Sequence, residues 1–174
     1  MALAVCLLFD TRGDQLVREL WARLEASGIR TLQSHTHGHH HPHLSLAVLL
    51  DWDLDQVRVT LGTLPDGGPV ELSVQGTLAF PRGRGALALS APASVVARQE
   101  AVSRALMSDG ALVHHHYQPG MWVPHVSLAT RATGALLPTV VKAVADVLPL
   151  TLHADRAALI DSSTGELWPL ASLP

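Results

Sequence analysis

Apolar residues first fall in one unbroken run, Ala2 to Phe9 (ALAVCLLF), closed by Asp10 and Gly13. A run that short and continuous predicts a buried strand. From Asp14 the period changes. Leu16, Val17, Leu20, Trp21 and Leu24 recur at helical spacing, and Gly28 supplies the stop. Residues 31 to 42 are polar and histidine-rich, without a clear period. Leu44 to Leu50 predicts a second strand. Asp53 then opens a short helix, with Gln56 three residues on as a capping-box partner. Asp66-Gly67-Gly68-Pro69 marks a turn, and Val70 to Phe80 predicts a strand.

The order then repeats. Pro81 to Gly85 is a turn and Ala86 to Ser90 a short strand. Ser94 is expected to cap a helix carrying Val95, Ala101, Val102, Ala105 and Leu106 and ending at Gly110. A loop rich in His and Pro leads to a strand at Val126 to Thr130. A helix from about Leu136 to Val147 follows, then strands near Leu150 to His153, Ala157 to Asp161 and Glu166 to Leu170. Strand, helix, loop, strand, helix, strand thus runs twice, which predicts one domain of two pseudo-symmetric lobes, about 1–80 and 81–174.

Composition narrows the function. Apolar residues make up 48% and charged residues 16% of the 174, enough for a buried core and against disorder. The formal charge of −3 argues against a duplex-DNA binder, which needs a basic face to displace counterions. A nucleotide or an RNA end needs only a local positive pocket. Cys6 is the single cysteine, so a disulfide framework is excluded and a cysteine-based zinc site is not expected. The first apolar run is too short to span a membrane and lacks signal-peptide features, so a cytoplasmic protein with no membrane partner is expected.

Each half contains one short phrase at the same place: Pro42-His43-Leu44-Ser45-Leu46-Ala47 and Pro124-His125-Val126-Ser127-Leu128-Ala129. In a strand, residues i and i+2 face the same side. His43 points with Ser45, and His125 with Ser127. If the halves pack about a pseudo-twofold axis, two imidazoles and two hydroxyls converge on one cleft. That set suits phosphoryl chemistry. A neutral imidazole takes a proton from the attacking oxygen and a protonated one gives a proton to the leaving oxygen. Hydroxyls donate to the non-bridging phosphate oxygens where charge accumulates. No metal or other cofactor is required by the motif. One His-x-Ser means little by chance; two copies inside six-residue near-repeats mean much more.

The paired H-x-[S/T]-hydrophobic motifs resemble those of the 2H phosphoesterase superfamily, and within it the 2′-5′ RNA ligase-like, cyclic phosphodiesterase branch. The phrase Tyr117 to Ala129 (YQPGMWVPHVSLA) carries the most specific part of the likeness. The resemblance implies a bilobal α+β fold, with antiparallel-rich sheets lining a central cleft and helices outside. It implies action on 2′,3′-cyclic phosphates of nucleotides or RNA ends, on related cyclic phosphates, or on 2′-5′ linkages. His43 and His125 match the catalytic histidines, and Ser45 and Ser127 match the phosphate-binding hydroxyls. Both hydroxyl positions are Ser where many relatives carry Thr, which leaves the chemistry intact. Arg131 is a candidate phosphate or ribose contact, and Tyr117 and Trp122 are candidates to stack on a base. Arg82 and Arg84 read as surface charge. Trp21 reads as core; Trp52 and Trp168 read as structural.

His35, His37, His39, His40 and His41 precede the first motif, and His114, His115 and His116 precede the second. Without interleaved carboxylates they lack the spacing of a built metal site. They are expected to flank one cleft mouth as a collar that charges below about pH 6.5. The expected protein is a monomeric, metal-independent hydrolase of 2′,3′-cyclic phosphates. The alternatives are an RNA 2′-5′ ligase or nuclease using the same site, a histidine-rich metal-binding protein, and an idle RNA-end binder. No nucleotide-cradling G-x-x-x-x-G-K-[S/T] supports a nucleotide-dependent ligase.

Overall fold

A computed structural model describes residues 2–174. The chain runs β1 (Leu3–Phe9), α1 (Thr11–Ala26), β2 (His43–Asp51), α2 (Leu54–Gly62), β3 (Val70–Phe80), β4 (Arg84–Ser90) and α3 (Ala93–Ser108). It continues through β5 (Leu112–Val113), β6 (His125–Ala129), α4 (Leu137–Ala145), β7 (Leu150–Asp161) and β8 (Leu167–Pro169). All strand pairs are antiparallel, in the order β5-β2-β1-β7-β3-β4-β6, with β8 on β7. The α+β fold with antiparallel-rich sheets and helices outside is the one expected. None of the helices is long and apolar enough to cross a membrane, among the described residues.

The two faces of the sheet differ in kind. Leu3, Val5, Leu7 and Phe9 of β1 join the main core, where Val17, Leu20, Trp21 and Leu24 of α1 and Val95, Val102 and Leu106 of α3 meet them. All four helices pack on that face. The alternate residues Ala4, Cys6 and Leu8, with Ala158 and Ile160 of β7, form a small apolar cluster without a helical member. That second face carries the motif side chains, because Leu8 pairs with His43 and Cys6 with Ser45.

Local signals are met with small exceptions. Asp10 and Asp53 cap α1 and α2, accepting from Gly13 N and Gln56 N. The Gln56 side chain does not complete a capping box; it reaches Asp109 instead. Ser94 is no cap either. Helix α3 begins two residues earlier than that cap would place it, after Pro92, whose fixed φ suits that boundary. The strands expected at Leu150–His153 and Ala157–Asp161 are one 12-residue strand. Its first part pairs with β3 and the remainder with β1, and a register shift between Ala154 and Arg156, which leaves Asp155 unpaired, absorbs the polar pair that read as a break.

The turn between β3 and β4 is tightly built. Gly83 has φ 72°, and a Cβ there would stand 2.8 Å from the Ala132 carbonyl carbon. Gly68 has a similar φ of 67° with open space around it. Gly83→Ala is expected to lose about 2–5 kcal/mol, the left-handed penalty plus overpacking. Gly68→Ala should lose only the former, about 1–2 kcal/mol. Urea denaturation midpoints of the two variants check the difference.

Candidate active site

In each motif the residue after the serine is left out of strand pairing. Ser45 pairs with Cys6 and Ala47 with Val5, so Leu46 is a bulge; Ser127 pairs with Ala86 and Ala129 with Gly85, so Leu128 is its counterpart. A bulge interrupts the ladder and leaves backbone groups in need of partners. The partners come from the opposite half of the chain. Trp21 Nε1 on α1 donates to the Ser127 carbonyl at 3.0 Å, and Trp122 Nε1 donates to the Ser45 carbonyl at 3.0 Å. Buried Gln99 of α3 donates to the Leu46 carbonyl at 3.0 Å and to the Tyr117 carbonyl at 2.8 Å. Motif strands β2 and β6, far apart in strand order, are thereby drawn together as the sheet curls.

The two imidazoles are held alike. His43 Nδ1 donates to the His41 carbonyl and His125 Nδ1 to the Val123 carbonyl, each at 2.7 Å. A carbonyl only accepts, so in the neutral ring the proton sits on Nδ1 and the lone pair on Nε2. Both rings are half-buried. Burial pushes His43 below the ordinary histidine range, with the His41 carbonyl opposing. Burial does the same to His125, helped by the charges of His43 and Arg84 and opposed by the Val123 carbonyl. Charging one motif histidine therefore disfavours charging the other. Phe80 packs its ring 4.9 Å from that of His125, forming an apolar wall.

Ser45 is buried, with its Oγ 3.9 Å from Cys6 Sγ. Burial raises both the Cys6 thiol and the Tyr117 phenol to about 12, and proximity to Ser45 opposes the rise in each. Both stay neutral at physiological pH, so no thiolate competes with phosphate beside Ser45. Ser127 is half-buried on the same face of its strand as His125. Trp122 is half-buried against the main core, its N–H engaged by Ser45, while Tyr117 packs on the same core. Trp21 is fully buried, and its hydrogen bond to the second motif is not legible from its helical spacing.

Arg131 lies in a cavity of about 430 Å³ that also takes Arg30, Arg82, Arg84, His35 and Thr36. Arg82 and Arg84 are exposed as expected, yet they face this cavity rather than open surface alone. Arg30 carried no sequence signal. It is brought to Arg131 by a bridge between Thr31 and Ala129 and a 2.9 Å bond from Thr130 N to its carbonyl.

Four of the cluster histidines, His35, His40, His41 and His114, are harder to charge than expected. His40 is buried, and burial with the nearby charges of His37, His43 and His35 lowers it to about 4. His35, His41 and His114 are lowered as well, burial being the main cause in each. The ligand atoms of His114, His115 and His116 lie within 4.8 Å of one another, a group that excludes both motif histidines.

The sequence profile of the 2′-5′ RNA ligase superfamily matches residues 14–166. The chain belongs to this superfamily, that of the 2H phosphoesterases. Solved structures share the fold. TT0787 of Thermus thermophilus is 16% identical, with 100% of each chain covered and a TM-score of 0.65. LigT of E. coli, solved with NADP+, is 14% identical, with 97% of this chain and 93% of that chain covered and a TM-score of 0.61. Usb1 of Kluyveromyces marxianus, solved with uridine monophosphate, is 14% identical, with 99% and 98% covered and a TM-score of 0.56. No curated protein sequence matches the chain. At such identities superfamily membership fixes the fold, and function must be argued from the site.

Trp21→Phe removes the donor to Ser127 O and is expected to destabilise by about 1–3 kcal/mol, the penalty for an unpaired buried carbonyl. Chemical denaturation measures it. His40 gives a second expectation. Its folded pKa lies below the unfolded value of 6.5, so unfolded chains take up a proton that folded ones refuse. Stability is full above pH 6.5 and falls as pH drops toward about 4. His40→Gln should reduce that acid loss by about 2–3 kcal/mol, read from denaturation at pH 7 and pH 4.

Proposed function

We propose that this chain is a metal-independent phosphoesterase that hydrolyses 2′,3′-cyclic phosphates of nucleotides or RNA ends. The reading rests chiefly on the matched pinning of His43 and His125, each with Nδ1 tied to a carbonyl and Nε2 left for proton transfer. One neutral imidazole accepts a proton from water as its oxygen bonds to phosphorus. The bond from phosphorus to one ribose oxygen breaks, and the other, protonated imidazole delivers its proton to that oxygen. The product is a phosphate monoester. Ser45 and Ser127 donate to the non-bridging oxygens, and Arg131 offers a guanidinium to the phosphate or ribose side. Tyr117 and Trp122 border the first-motif serine, where a base is to be received. With a ribose hydroxyl attacking phosphorus in place of water, the same site joins two ends through a 2′-5′ linkage, and that step reversed cleaves one, which gives the 2′-5′ ligase or nuclease reading.

The test is turnover of nucleoside 2′,3′-cyclic phosphates in EDTA by wild type, His43→Ala and His125→Ala. Losses of about a hundredfold or more in both variants are expected. Turnover abolished by EDTA would overturn metal independence and favour a metal held at His114–His116, the one alternative with a geometric observation behind it. Acidity supplies another check. The base must be neutral and the acid protonated, and both histidines titrate below 6.5. The bell of kcat/KM against pH should therefore peak on the acid side of 6.5.

A further inference from the structure

Four guanidinium groups, from a chain with only 12 lysines and arginines, line the 430 Å³ cavity beside the second motif. None of Arg30, Arg82, Arg84 and Arg131 has a carboxylate within 4.0 Å, among the described residues. Nor does any of the four side chains make a hydrogen bond there, although Arg18, Arg23, Arg98 and Arg156 all do. Like charges gathered without counter-charges repel, so the cluster is stable only if something else fixes it. The backbone does. Thr36 and Arg82, the two non-glycine residues with positive φ among the described residues (49° and 66°), both line this cavity. Arg82 and Arg84 stand on either side of Gly83, the residue pressed against Ala132. Another cavity, of about 290 Å³, has Asp51, Asp53 and Asp109 in its lining and would repel an anion.

The arginine cavity adjoins the reacting groups. Arg131 lies two residues past the end of β6, Arg84 begins β4 beside that strand, and the Arg84 charge is felt at His125. A guanidinium presents a planar fork of donors that matches phosphate oxygens and stays charged at all relevant pH. Four such forks exceed what one attacked phosphodiester, already served by two serines, requires.

We propose that Arg30, Arg82 and Arg84, with Arg131 standing between them and the attacked phosphate, form a second phosphate subsite, which holds a phosphate of the substrate other than the one under attack. The assignment rests on the phosphoesterase reading and makes the preferred substrate an oligonucleotide end rather than a lone nucleoside cyclic phosphate. The phosphate concerned is the phosphodiester that precedes the cyclic terminus.

The first experiment needs no turnover. Inorganic pyrophosphate is titrated calorimetrically into wild type and into Arg82→Gly, which removes one guanidinium while giving the left-handed position the residue that suits it best. Affinity is expected to fall about tenfold in Arg82→Gly, and further in Arg30→Ala/Arg82→Gly, and to weaken with salt in wild type. Equal affinity in wild type and the double variant overturns the subsite. The second experiment compares kcat/KM for a nucleoside 2′,3′-cyclic phosphate, its 5′-phosphorylated form and a dinucleotide ending in the cyclic phosphate. Wild type should prefer the dinucleotide by about tenfold, chiefly through KM, and Arg82→Gly should shrink that ratio. A wild-type preference for the 5′-phosphorylated mononucleotide over the dinucleotide overturns the oligonucleotide assignment. If none of the three is turned over, the phosphoesterase reading fails while the titration still decides the subsite.

Discussion

Two indole N–H groups, each given to a serine carbonyl in the other half of the chain, hold this site together. Every H-x-S strand here contains a bulge, and a bulge breaks the ladder next to the residues that matter. An uncompensated break would leave a buried carbonyl without a donor. Trp21 and Trp122 supply those donors crosswise, so the first motif is braced by the second half and the second motif by the first. Each bulge can then aim its histidine and serine without loosening its strand. The imidazoles are held alike as well, each Nδ1 bonded at 2.7 Å to the carbonyl two residues before it.

Electrostatics divides the labour differently. Burial keeps the motif histidines and several collar histidines from charging easily, so the positive field at the site comes from arginine, whose charge does not depend on pH in this range. His35 and His114, one from each cluster, both lie in the field of Arg84. Burial holds His35, His40, His41 and His114 below the ordinary histidine range. The rings of His35, His37, His39 and His40 lie stacked or tilted against one another.

Much of this was legible in the sequence because a strand buried on both faces reads as an unbroken apolar run and a helix with one buried face as a period of 3.6. The strand Leu3–Phe9 and the stripe of α1 follow from those patterns, and the placing of His43 with Ser45 and of His125 with Ser127 on one sheet face follows from alternation. What stayed hidden depends on contacts between distant residues. Leu46 and Leu128 look like any strand leucine, and nothing in their spacing marks a bulge. Trp21 fits its helix's apolar stripe so well that its polar end goes unnoticed. Arg30 meets Arg131 only through a bridge between segments about a hundred positions apart, which no local pattern reports. The polar pair Asp155 and Arg156 reads as a break in β7, whereas it marks the point where that strand changes neighbours.

That change of neighbours has a mechanical consequence. β7 is one continuous 12-residue strand, bonded to β3 along its first part and to β1 along the rest. It joins the β1–β2 side of the sheet, which carries the first motif, to the β3–β4–β6 side, which carries the second. Swinging one half against the other would strip backbone hydrogen bonds from one end of β7, so hinge closure of the kind seen in two-domain clamps is resisted. The spacing of the two motifs is thus held by the hydrogen bonds of the sheet itself, and little of the binding free energy has to go into reorganising the backbone.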